Sequence, residues 1–340
     1  MSQVLKDVVS ASSSDESGHL PQEPDSGTQA VRTVIDPGST RTFINVGELW
    51  KYRELMFFLM LRDIKVRYKQ TALGAAWAVI QPFMMMIVFT VFLGRMAKVP
   101  SGDVPYPLFV YAGLLPWSFF ATAIANSGNS VIGQEKLITK IYFPRLAIPF
   151  ASVGAAVVDF LIAFGMLLAM MAYYRVAPGW GILLVPVVLL TLILTALGVG
   201  TLLAALNVAY RDFRYVIPFM VQLWMFATPT VYMSVNEPKE PDTAHAQGQT
   251  DPGKETAESA AAAHTQSQKE SARSANVPEV VKQLLKLNPL TGIIGFFRAA
   301  VLGDPLPWHS VQFSIAGAVV AFVIGCLYFR RVEGTFADII

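Results

Sequence analysis

From Val176 to Tyr210 the chain has no charged residue. A block that long does more than supply one face to a soluble core. About 20 apolar residues in a helix span the hydrocarbon of a bilayer. The block is one of six. Residues 72–94 (ALGAAWAVIQPFMMMIVFTVFLG), 104–134 and 215–236 also carry no charge, 146–174 carry only Asp159, and 305–329 have only His309. In lipid every backbone polar group must find its partner inside the chain, which helices achieve. Six spanning helices follow, at about 75–97, 107–128, 147–173, 181–207, 214–235 and 309–329. Composition agrees. Of the 340 residues 54% are hydrophobic and 15% charged, with a mean hydropathy of +0.47, and a soluble domain carries more charge. The net charge of +2 is too small for a nucleic-acid binder. Cys326 is the one cysteine, so no internal disulfide forms.

Lys and Arg in short loops set orientation. On one side stand Arg62, Lys65, Arg67, Lys69, Lys136, Lys140, Arg145, Arg211, Arg214, Arg330 and Arg331, and on the other only Arg95, Lys98 and Arg175. Both termini are therefore expected in the cytoplasm. Residues 1–40 have no signal-peptide core and read as a disordered leader. Residues 41–70 hold an apolar run too short to span (LMFFLML) and then the basic segment, and read as an interfacial helix. Spans one to five fill 71–236. Residues 237–286 are polar and low in complexity and read as an external insertion loop. Residues 287–304 (LNPLTGIIGFFRAAVLG and the following Asp304) are apolar but broken by Pro289 and Gly292. They fit two short half-helices dipping into the membrane, or a helix lying on its outer surface. The sixth span, 305–331, and a tail, 332–340, close the chain.

Five segments in this order, RDIKVRYKQTALGAAWAVIQP, YAGLLPWSFF, LITKIYFPR, NVAYRDFRY and LNPLTG, resemble the membrane subunit of ABC-2-type exporters. The nearest group is the O-antigen, capsule and teichoic-acid permeases of bacteria. The likeness runs from about residue 45 to the C-terminus and is interrupted by 239–277. It implies an all-α membrane protein with six spans, an N-terminal interfacial helix and re-entrant half-helices before the sixth span. It further implies a homodimer in the bacterial inner membrane, with two copies of a separate cytoplasmic ABC ATPase and a lipid-linked glycan as cargo. The chain has no GxxxxGK[ST] phosphate loop, so ATP and Mg²⁺ are expected on the partner, with no cofactor and no catalytic or metal site here. The resemblance places ATPase coupling at Gln134, Glu135, Lys136, Leu137 and Ile138. NVAYRDFRY, with Arg211 and Asp212, is a second and weaker contact.

The residues themselves add further candidates. Arg62, Lys65, Arg67 and Lys69 attract anionic lipid and suit the pyrophosphate of a lipid-linked glycan. Sugars stack on aromatic rings, so Trp77, Tyr106, Tyr111, Trp117, Phe120, Trp224, Phe226 and Tyr232 are candidate conduit linings. The competing role is an interfacial aromatic belt. Asp159 is the one acid deep in a span, where an ionisable group faces a cavity or a partner. No second acid or histidine stands at span depth to relay protons. Ala147, Ala151 and Ala155, and Gly198 and Gly200, are small-residue spacings that let helices approach. Export of a drug or small lipid is the alternative within transport. A secondary transporter would show matched broken helices, and a membrane enzyme clustered acids or histidines. The chain shows neither.

Overall fold

The computed structural model describes residues 46–69, 71, 73–96, 104–140, 143–228 and 288–336. The leader, the end of the expected fifth span, the polar insertion and the tail beyond 336 lie outside the described residues. Among those described the chain is helical, without a strand. In chain order the helices are α1 (Val46–Lys51), α2 (Arg53–Lys69), α3 (Trp77–Phe89), α4 (Tyr106–Ser130), α5 (Glu135–Ile138), α6 (Ala147–Tyr174), α7 (Val185–Ala209), α8 (Phe213–Phe226), α9 (Pro289–Leu302) and α10 (Trp308–Val332). A 3-10 turn leads into α3, and a π-helical stretch (Thr90–Met96) continues it.

Five of these are long and apolar enough to cross a membrane: Gly74–Met96, Tyr106–Ser130, Ala147–Tyr174, Trp180–Ala209 and Trp308–Val332. The expected fifth span, 214–235, is described only as far as Thr228, and its α8 is 14 residues long. Residues 287–304 differ from the expected break. Pro289 and Gly292 do not interrupt the helix. Pro289 occupies the first turn, where its missing N–H is not needed, and the Asn288 side chain accepts the Leu290 N–H at 3.1 Å. One continuous helix, α9, runs to Gly303, whose left-handed φ of 86° ends it.

The centre of the bundle is α4. It packs against α3, α6, α7, α8 and α9, and it is buried along most of its length. A helix without charge and apolar over most of its surface belongs in such a place. By contrast α3 leaves most of its surface outward. The most extensive pairing joins α7 and α10, and glycine makes it possible. A Cβ on Gly325 would run into the Gly198 carbonyl, 2.8 Å from its carbon, and one on Gly198 would lie 2.5 Å from the Ala321 carbonyl carbon. Backbone meets backbone there, as small residues allow in membrane bundles. A second apolar cluster gathers Leu49 of α1, Leu59 of α2, Ile138 of α5, Phe143, Leu146 and, beyond the end of α10, Phe336. It ties the short N-terminal helices and α5 to one end of the bundle.

Candidate functional site

Met60, Asp63 and Arg67 stand three, then four residues apart, so they share one face of α2. That face lies along α6. Ser152 Oγ donates to Asp63 Oδ2 at 3.4 Å. One further step along, Arg67 donates to Asp159 Oδ2 and the Tyr68 hydroxyl to Asp159 Oδ1. Asp159 sits about 18 Å along α6 from Ala147, at 1.5 Å per residue, near the middle of that helix. Its carboxylate is thus paired inside the bundle, as a charge at span depth requires. Burial first, and then its bond to Asp159, push the Tyr68 phenol up to about 12. It remains a donor at any physiological pH.

The basic segment is helical as far as Lys69, and its four bases part company. Arg62 pairs with its neighbour Asp63 at 2.7 Å. Arg67 is taken up by Asp159. Lys65 and Lys69 are exposed.

The Arg67–Asp159 pair borders a cavity of about 290 Å³ between α2, α3, α4 and α6. Its polar walls are Gln81 of α3 and Ser118, Thr122 and Asn126 of α4, and Trp77 and Phe119 supply rings. Ser118, Thr122 and Asn126 follow one another at four-residue spacing, which aligns them on one face of α4. None of these polar positions is among the candidates read from the sequence. Their spacing is legible, but it lies inside a block distinguished only by its lack of charge.

At the end of the bundle that carries α5, a polar knot joins α4 to α7. Asn207 Nδ2 donates to the Gly128 carbonyl at 2.9 Å and to Asn129 Oδ1 at 3.1 Å. Asn129 Nδ2 in turn donates to the Ala125 carbonyl at 2.8 Å. Asn207 is fully buried, and leaving such partners unsatisfied costs about 1–3 kcal/mol. Replacing Asn207→Leu is therefore expected to lower thermal stability by that amount, measured by melting of the purified chain in detergent. Asn207→Asp, which keeps the shape but adds charge, should lower it at least as far.

Next to this knot, the expected coupling residues divide by burial. Gln134 and Ile138 are buried, Leu137 is half-buried, and Glu135 and Lys136 are exposed. The outer pair is available to a partner and the inner pair anchors α5. Arg211 and Asp212, between α7 and α8, are exposed too. Arg145 donates to the Glu333 carbonyl, and Arg330 bonds Glu333 at 3.0 Å, so the end of α10 closes over the α5–α6 link.

Residues 54–238 match the model of the ABC-2 type transporter family. The chain belongs to the ABC-2 type transporter family. Three relatives extend the comparison. The chain is 32% identical over 188 residues to the O-antigen export system permease protein RfbA of Myxococcus xanthus, covering 55% of this chain and 71% of that protein. It is 24% identical over 302 residues to the O-antigen export system permease protein RfbA of Klebsiella pneumoniae, covering 87% and 97%. It is 22% identical over 185 residues to the polysialic acid transport protein KpsM of Escherichia coli, covering 54% and 71%. With five helices long and apolar enough to cross, this ABC-2 transporter chain is a multi-pass membrane protein.

The aromatic candidates of this ABC-2 chain fall in three places. Tyr111, Trp117 and Phe120 are buried inside the subunit. Tyr111 donates to the Ala163 carbonyl at 3.1 Å, and Phe120 meets Trp224 edge-on at 5.2 Å. All three pack into the apolar core of the subunit. Half-buried positions belong to Tyr106, stacked near Phe109, and Trp224, whose indole donates to Asn288 Oδ1 at 3.3 Å. Trp77 and Phe226 are exposed, and Trp77 alone of the set borders the cavity. Tyr232 lies outside the described residues. Arg298, not among the candidates, is buried in α9 with its guanidinium 3.9 Å over the Phe109 ring, a cation–π clamp between α9 and α4. Among the described residues no group of three or more His, Cys, Asp or Glu gathers to hold a metal.

Proposed function

We propose that this chain is the permease subunit of an ATP-driven exporter that carries a lipid-linked polysaccharide across the bacterial inner membrane. The observation that carries the reading is the likeness to an O-antigen export permease over 87% of this chain and 97% of that protein. Two copies form the transport unit, each with six spans. Both termini face the cytoplasm, as the Lys and Arg of the short loops favour. α1 and the start of α2 rest at the cytoplasmic boundary, and the end of α2 reaches inward along α6 to Asp159.

Two copies of a separate ABC ATPase hold the ATP and Mg²⁺. Their closure pushes on Glu135 and Lys136, with Arg211 and Asp212 as a further contact, and α5 passes the push into the bundle through buried Gln134 and Ile138. The exposed Lys65 and Lys69 offer the headgroup pyrophosphate of the cargo a cationic entry, with Arg62 and Arg67 already engaged by carboxylates. The test is to co-purify the chain with the ATPase encoded beside it and assay hydrolysis with and without lipid-linked glycan. A stable complex stimulated by glycan supports the reading. A chain that binds no ATPase overturns it. Replacing Glu135→Ala together with Lys136→Ala is expected to cut the glycan-stimulated rate about tenfold, with the melting temperature of the permease unchanged, because both side chains are exposed.

A further inference from the structure

We propose that the cavity between α2, α3, α4 and α6 is a binding site for a neutral sugar unit of the cargo. The proposal rests on the polysaccharide-export reading and adds to it a place where the chain touches the glycan. Charge balance comes first. The lining holds one cation and one anion, Arg67 and Asp159, and they are bonded to each other. An anionic occupant would have to part them, and a bare charge at this depth is strongly disfavoured. The site as built therefore suits a neutral guest.

Polarity points the same way. Among the described residues the side chains of Gln81, Ser118, Thr122 and Asn126 make no hydrogen bond within the protein. An acyl chain in the cavity would leave all four against hydrocarbon, which is costly for each. A polyhydroxyl guest satisfies them, since each offers both a donor and an acceptor. The Asp159 carboxylate accepts further from hydroxyls, having lone pairs beyond those used by Arg67 and Tyr68.

Shape agrees. The indole of Trp77, 53% exposed, presents a flat face on which the C–H side of a sugar ring stacks. The volume of about 290 Å³ equals roughly ten waters at about 30 Å³ each, enough for one sugar ring and a few of those waters. Ser118, Thr122 and Asn126 make rungs about 6 Å apart along α4. A guest can exchange one rung for the next, which suits a chain that must slide.

The test uses the full chain with its ATPase in cells that make the glycan. The photo-reactive residue p-benzoyl-phenylalanine replaces Thr71 or Ser118 at the cavity, Phe219 on the outer face of α8, or Phe313 on the outer face of α10. After irradiation the chain is purified under denaturing conditions. Periodate oxidation and hydrazide labelling then report any covalently attached vicinal diol. Glycan adducts are expected from positions 71 and 118 and not from 313. The paired variant Ser118→Ala, Thr122→Val keeps the volume and removes two hydroxyls, and it should cut the adduct yield at position 71 about tenfold while the ATPase still co-purifies. Surface glycan without adducts at 71 and 118, whether or not 219 is labelled, overturns the cavity and leaves the export reading standing. An unchanged yield at 71 in the paired variant also overturns the cavity. Full surface glycan in cells lacking the chain overturns the export reading, and the cavity proposal with it.

Discussion

Gly325→Val is expected to abolish assembly of a monodisperse permease. The smallest side chain already drives a Cβ into the Gly198 carbonyl oxygen and to 2.7 Å from Thr201 Oγ1. A neighbouring side chain could turn aside, but a carbonyl in the middle of a helix cannot. The α7 and α10 axes must then separate, and the whole pairing loses its contacts, since dispersion falls steeply with distance. Overpacking in a core costs about 1–3 kcal/mol and occasionally more. Gly325→Ala and Gly198→Ala should fall at the upper end of that range, and Gly325→Val beyond it. Size-exclusion profiles and melting temperatures in detergent measure the effect. Gly165, also in a spanning helix, is different, since a Cβ there would meet nothing within 4 Å. Gly165→Ala should leave stability unchanged or raise it by up to about 1 kcal/mol through helix propensity. If Gly325→Ala melts like the parent, the close approach of α7 and α10 is wrong.

The second large effect is expected at Asp159. Asp159→Leu leaves Arg67 without its carboxylate near the middle of α6 and Tyr68 without its acceptor. Breaking a fully buried ion pair costs about 3–5 kcal/mol. Here the two side chains keep 31% and 17% of their exposure, so about 1–3 kcal/mol is the expected loss after that discount. The double variant Asp159→Leu, Arg67→Met removes both charges and should recover most of it. A thermodynamic cycle across the four proteins isolates the coupling. Equal losses in the single and double variants would show that shape, not charge pairing, holds α2 on α6.

The spans are legible in the sequence because absence of charge over long blocks is a one-dimensional signal. Asp159 stands out for the same reason, as the exception in its block. Its partner is not legible. Arg67 belongs to a cluster that orientation rules explain without any tertiary contact, and the bond joins residues 92 apart in the chain. Helical register shows only afterwards that Asp63 and Arg67 reach Ser152 and Asp159 along one line. The aromatic candidates meet another limit. On a helix without charge and with apolar residues on most sides, sequence cannot tell a ring facing neighbours from one facing a passage. Tyr111, Trp117 and Phe120 lie within α4, the most enclosed helix, and so belong to the core. The break expected at Pro289 fails for a positional reason, because a proline in the first turn starts a helix rather than ending one.

One apolar cluster holds Leu49 and Leu59 together with Ile138, and this has a mechanical meaning. α2 has 17 residues, about 25 Å of stiff rod at 1.5 Å per residue. Leu59 fixes the rod near its middle, and Arg67 and Tyr68 sit at its far tip. Packed interiors transmit displacement rather than absorb it. In the coupling proposed above, a shove delivered to Ile138 would tilt this rod and carry the cavity wall at its tip with it. In the proposed coupling the rod is a lever, with the apolar cluster as its fulcrum and the Arg67–Asp159 ion pair as its load.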